Sequence, residues 1–142
     1  MKTVKEYFDP NMITWLRENG LNYKIANIKS DKGDLNILYG DKFCLKIYDR
    51  LGHGFGATVN VTDKYDESIY HNDKFALTWA FKYFEIKETA SFSDREENHY
   101  YQTLPNFIAD IKRIIPLLNQ MTPSGWSEMK EWINKEAKKL FP

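Results

Sequence analysis

A single cysteine, Cys44, in 142 residues leaves no intrachain disulfide, so noncovalent packing has to hold this chain together. No apolar run approaches the roughly 20 residues needed to span a bilayer, and the opening Met-Lys-Thr is not followed by the apolar segment of a signal peptide. A cytoplasmic location is expected. Net charge is also missing: 20 basic and 20 acidic residues cancel, which removes the simplest electrostatic case for a nucleic-acid binder. The three histidines, His53, His71 and His99, share no helical metal-ligand spacing and lie near no second cysteine, so neither a metal nor any other cofactor is expected. Exposed loop histidine is the default for each. His71, with Asp73 beside it and Asp66 or Glu67 nearby, is the one acid/base pairing on offer.

Aromatic side chains are abundant. Nine Phe, nine Tyr and four Trp point to an aromatic core or binding face, and the length is that of one domain, residues 1–142, able to bury a continuous core. The most apolar stretch is Phe75-Ala-Leu-Thr-Trp-Ala-Phe-Lys-Tyr-Phe84. As a helix it has polar residues only at Thr78, Lys82 and Glu85, so it has to be covered on most sides, with Asn72 or Asp73 as N-cap. The alternation of Phe75, Leu77, Trp79, Phe81 and Tyr83 also suits a buried strand. Two alanines and the cap signal favour a central helix over 74–84.

In chain order, Asp9-Pro10 marks a helix start and Gly20 its end, giving a helix over 10–19 with Ile13 and Leu16 on its buried face; residues 1–8 extend it irregularly or form a short helix before it. From Tyr23 the period changes to two. Tyr23 and Ile25, then Leu35, Ile37 and Tyr39, then Phe43, Leu45 and Ile47, and finally Phe55 to Thr62 alternate, with Gly40-Asp41 as a two-residue turn between the second and third runs. This predicts an antiparallel meander of about four strands over 23–63. Thr103 with Pro105 opens a helix over 104–120, in which Pro116 predicts a kink or break near Ile114 and Ile115. A last amphipathic helix covers 127–140. Strands followed by helices make the expected class α+β, with a helical C-terminal third. Trp15, Leu16, Ile37, Leu45, Val59, Leu77, Trp79, Phe81, Ile108, Ile111 and Trp132 are the predicted core.

Few residues suggest chemistry. Gly52-His-Gly-Phe-Gly56 has glycines closely spaced enough to cradle an anion, but it opens into a strand and matches neither the dinucleotide nor the P-loop pattern, so it reads as a flexible turn. Cys44 lies between Phe43 and Leu45 in a predicted strand with no base beside it, which makes it structural. No nucleophile, base and orienter stand at recognisable spacing, and no enzymatic activity is expected.

The polar feature with most content is the charge asymmetry. Residues 63–99 carry nine acids against five bases, between two segments that are each net positive. A charge run is ordinarily a solvated surface. Here Asp63, Asp66, Glu67, Asp94, Glu96 and Glu97 are interleaved with Tyr65, Tyr70, Tyr100 and Tyr101, a composition suited to a protein interface in which rings anchor and acids steer a basic partner. These ten residues are the candidate partner-binding set.

The order of helix, β-meander with its glycine-rich turn Leu51-Gly-His-Gly-Phe-Gly56, aromatic segment Trp79-Ala-Phe-Lys-Tyr-Phe84 and helical C-terminal third resembles, over about residues 10–121, small immunity proteins of bacterial polymorphic-toxin and contact-dependent inhibition systems. The resemblance implies a non-catalytic cytoplasmic protein whose partner is one cognate toxin domain, blocked at its active site or substrate access. The alternative is a small protein- or ligand-binding regulatory module of bacterial or phage origin.

Overall fold

The structure, a computed structural model, describes residues 3–31, 33–50, 54–62, 65, 74–90 and 103–140. Among these residues the architecture is α+β: a five-stranded antiparallel meander with four helices, two of them in the C-terminal third. Helix α1 spans Val4–Glu18, strand β1 Lys24–Ile28, β2 Asp34–Tyr39, β3 Cys44–Asp49, β4 Phe55–Asn60 and β5 Lys74–Ala76. Helix α2 spans Leu77–Tyr83, α3 Leu104–Asn119 and α4 Pro123–Leu140.

The first helix starts six residues before the Asp9-Pro10 signal. Thr3 is the N-cap, its hydroxyl accepting from the N–H of Glu6 at 3.3 Å, and Asp9-Pro10 lies inside the helix. Pro10 removes the N–H that would reach the Glu6 carbonyl, yet Val4, Phe8, Met12 and Leu16 form one buried stripe across it. Packing of that stripe outweighs the local cost. Ile13, predicted buried, is 47% exposed because it falls off this stripe.

The sheet order β1-β2-β3-β4-β5 follows the chain, each neighbour antiparallel. In the β2–β3 hairpin Gly40 N–H donates to the Phe43 carbonyl, so the two turn residues are Asp41-Lys42, one position later than Gly40-Asp41. Gly40 is needed for another reason: the ring of Tyr23 lies where a Cβ would be. The glycine-rich stretch joins β3 to β4, and Arg50 N–H donates to the Gly54 carbonyl at 2.9 Å to close the hairpin. Residues 51–53, with His53, lie outside the described residues.

The stretch 74–84 is not one helix. Lys74–Ala76 pairs with β4 as a fifth strand, Val59 opposite Phe75, and only then does α2 begin, its N-cap Ala76 making no side-chain capping bond. The proposed caps Asn72 and Asp73 lie outside the described residues. Both periodicities seen in the sequence were therefore real, one for each half. The helix ends in a turn where Ile86 N–H reaches the Phe81 carbonyl and Glu85 N–H the Lys82 carbonyl, with Glu85 at φ 57°, the left-handed position that glycine ordinarily fills.

Helix α3 begins after Thr103 as expected and runs unbroken past Pro116. Leu104, Phe107, Ile108, Ile111, Ile114, Ile115 and Leu118 are all buried, so packing on both sides of the proline keeps the helix whole. Helix α4 starts at Pro123, four residues earlier than predicted, Gly125 N–H donating to the Thr122 hydroxyl at 3.1 Å. Side chains of all four helices join Leu38, Leu45, Ile47, Phe55, Val59 and Phe75 in one hydrophobic core. The helices thus share one face of the sheet. Of the predicted core, Trp15, Trp79 and Trp132 are only half-buried and pack against its margin; the other eight are buried.

Candidate partner-binding surface

Alternation along the strands assigns each side chain to a face. Opposite the helices, Lys24, Tyr39, Cys44, Asn60 and Lys74 stand in one row across all five strands, and Ala26, Ile37, Lys46, Thr58 and Ala76 in the next. Leu35, Ile37 and Cys44 form a second, smaller buried cluster on this side, flanked by Ile28, Tyr39 and Tyr48. Cys44 is therefore a buried sheet residue, in agreement with the sequence reading.

Tyr65 belongs to this face. Its ring packs edge-on against Tyr39 at 4.9 Å between centroids while the residue stays 44% exposed. A tyrosine braced on a neighbouring ring while still partly exposed has its conformation partly fixed before any partner arrives. It is the one member of the candidate set that the structure places. Asp63, Asp66, Glu67, Tyr70, Asp94, Glu96, Glu97, Tyr100 and Tyr101 lie outside the described residues, as do His71 and His99.

Two polar groups are buried on the same face. Lys46 stands between Ile37 and Thr58 at the middle of the sheet, and Asn60 lies directly opposite Cys44. Neither the amide nitrogen nor the amide oxygen of Asn60 has a hydrogen-bond partner. An amide left this way costs about 1–3 kcal/mol, so it is either a defect that the fold tolerates or a group awaiting a partner. The sequence gives no hint of it, because Asn60 sits in a β-branched run where asparagine looks like a turn residue arriving early.

The second polar segment begins from a tightly built stem. Asp110 on α3 is buried and accepts hydrogen bonds from Thr89 N–H at 2.9 and 3.1 Å, from the Thr89 hydroxyl at 2.7 Å and from Ala90 N–H at 3.0 Å. Arg113, one turn on, reaches Asp110 at 2.5 Å and the Lys87 carbonyl at 2.8 Å. Thr78 on α2 donates to Glu88 at 2.7 Å. Burial alone pushes the Asp110 carboxyl up, but the bonds from Thr89, Ala90 and Arg113 outweigh it and hold the group below its ordinary value. The Thr89 hydroxyl also lies 3.3 Å from the Asn106 carbonyl in the first turn of α3. The chain that leaves at Ala90 and returns at Thr103 therefore starts and ends against the same helix.

A second aromatic group stands elsewhere, between α2 and α4. Trp132 meets Trp79 at 6.3 Å and Tyr83 at 5.4 Å, both edge-on, and the Lys82 ammonium lies 4.8 Å over the Trp79 ring. All three rings are half-buried. The sequence reading put both tryptophans in the core, since helical periodicity distinguishes an apolar stripe from a polar one but not its centre from its margin.

Among the described residues no group of three His, Cys, Asp or Glu side chains is arranged to hold a metal ion, and no helix is long and apolar enough to cross a membrane. The chain matches no protein-family model, no curated protein and no solved structure.

Proposed function

We propose that this chain is a non-catalytic immunity protein that acts in the cytoplasm, binding a cognate bacterial toxin domain and blocking it. The observation that carries the reading is Tyr65, exposed to 44% and braced on Tyr39 in the middle of the acidic sequence Asp63 to Glu67. A pre-set aromatic ring among carboxylates offers a desolvating anchor together with charges that steer a basic partner. The test is co-expression with the toxin encoded by the neighbouring gene. A stable complex and loss of toxin activity are expected; free toxin of undiminished activity in the presence of excess of this chain would sink the proposal.

A second reading, a small-ligand binder, is favoured by the unpartnered amide of Asn60, which presents a donor and an acceptor side by side in the row that holds Tyr39. On that reading, a native mass spectrum of the purified chain shows a bound molecule that Asn60→Leu removes. A spectrum at the bare chain mass for both proteins counts against it.

A further inference from the structure

The meander leaves two edges, and they differ. β5 is three residues long and turns at once into α2, whereas β1 pairs through all five residues with β2 without a bulge, a proline or a glycine. Its outer side is the longer free edge.

Which backbone groups face outward follows from the turn. Ser30 and Gly33 exchange both hydrogen bonds, Ser30 N–H to the Gly33 carbonyl at 3.1 Å and Gly33 N–H to the Ser30 carbonyl at 3.3 Å. Antiparallel pairs alternate between those that exchange bonds and those that do not. Counting back along the register, Ile28 with Leu35, Ala26 with Ile37 and Lys24 with Tyr39 are bonded pairs. Ile25 with Leu38 and Asn27 with Asn36 are the open ones, as is the position of Lys29 just past the strand. The N–H and C=O groups of Ile25, Asn27 and Lys29 therefore point away from β2, and among the described residues none of them meets a hydrogen-bond partner. Such a row is a template for another strand.

We propose that the outer edge of β1 receives an extended acidic segment of a partner protein as a sixth strand. The sign of the charge decides the occupant. Lys24 and Lys29 are exposed at the two ends of the edge, and no acid occurs from Asn19 to Ser30. Of the nearest acids, Asp31 lies exposed in the β1–β2 turn beyond the strand, Asp9 is turned toward the Asn27 amide at 3.4 Å, and Asp34 stands one strand back on β2. A second copy of β1 brings two more lysines and no acid within the strand, so it neutralises neither Lys24 nor Lys29, which disfavours self-pairing. Lys24 and Lys29 differ in strand parity, so a strand with one Glu or Asp near each end, on opposite faces, meets both lysines. The proposal does not rest on the toxin reading.

The experiment is an NMR titration of the isotope-labelled full-length chain with an acetylated ten-residue valine–threonine peptide carrying two glutamates five residues apart, one on each face of the strand, and with its counterpart carrying lysines at those two positions. The expected result is saturable shifts at β1 and at least tenfold slower exchange of the Ile25, Asn27 and Lys29 amides with the glutamate peptide. Exchange at Ala26 and Ile28, already bonded to β2, stays unchanged. The double substitution K24E/K29E should abolish the response, and Lys29→Pro, which deletes one outward N–H at an exposed position, should weaken it at least tenfold. The proposal is overturned if millimolar glutamate peptide gives no saturable change at β1, or if the lysine peptide works equally well. It is equally overturned if raising the concentration of the chain alone protects the same three amides, since the occupant is then a second copy.

Discussion

The carboxylate of Asp49, at the end of β3, accepts a 3.1 Å hydrogen bond from the backbone N–H of Val4, in the first turn of α1, 45 residues away. A helix leaves its first N–H groups without partners and carries positive charge at that end, so a buried carboxylate placed there satisfies a donor and opposes the dipole. Asp49→Ala should cost about 1–3 kcal/mol by leaving a buried N–H unpaired. Asp49→Asn retains an acceptor and loses only the charge, about 0.3–1 kcal/mol. Denaturant midpoints should fall in the order wild type, Asn, Ala. An alanine variant as stable as wild type would show that the contact contributes nothing.

Asp110 makes stability sensitive to acid. Its folded-state carboxyl titrates below the ordinary 3.8, so its contribution is fully present above that value and is lost as pH falls through the lower folded-state value. Asp110→Asn should flatten the acid limb of the stability profile below pH ~4 and speed amide exchange at Thr89 and Ala90. An acid limb identical in both proteins would contradict the hydrogen-bond account.

At the alkaline end the corresponding group is Tyr23, whose hydroxyl donates to the Asn119 side-chain oxygen at 2.6 Å. Burial, with the Asp41 charge nearby, pushes its phenol from 10.0 up to about 12. Stability from this group is intact below 10.0 and declines as pH rises toward about 12, because the unfolded chain releases the proton first. An absorbance titration at alkaline pH should show one late tyrosine that is missing in Tyr23→Phe. Superimposable titration curves, once scaled for eight against nine tyrosines, would count against it.

Phe81 and Trp79 separate centre from margin. Phe81 is buried in the core and Trp79 only half-buried. Phe81→Ala should cost about 3–5 kcal/mol. Trp79→Ala should cost less, since its ring forfeits less burial and mainly loses edge contact with Trp132 and the Lys82 ammonium. A larger loss for Trp79 in urea unfolding would reverse this assignment.

If the proposed partner is a toxin domain steered by this acidic sequence, replacing Asp66 and Glu67 with Lys should slow association with it at low salt. Tyr65→Ala should act on dissociation, at about 2 kcal/mol or more if the ring is an anchor. Surface plasmon resonance across a salt series reads both. Kinetics unmoved by all three substitutions would place the interface elsewhere.

The first four strands, their order and the long apolar helix α3 were legible because each is written in a local period that does not need its neighbours: alternation from Tyr23 to Thr62, and spacings of three and four from Leu104 to Leu118. The sequence also determined the burial of Cys44, since a small apolar residue flanked by Phe43 and Leu45 in an alternating run has no other place to go. Long-range contacts decided the rest. Asp9-Pro10 is a valid helix start by local rules, but the stripe of Val4, Phe8, Met12 and Leu16 finds its cover in the sheet, and Thr3 with Asp49 caps the helix instead. The stretch from Phe75 to Phe84 satisfied two periods at once, and only the open edge of β4 could assign the first of them to a strand. The outward row of Ile25, Asn27 and Lys29 depends on a hydrogen-bond register, a relation between two strands that no single stretch of sequence encodes.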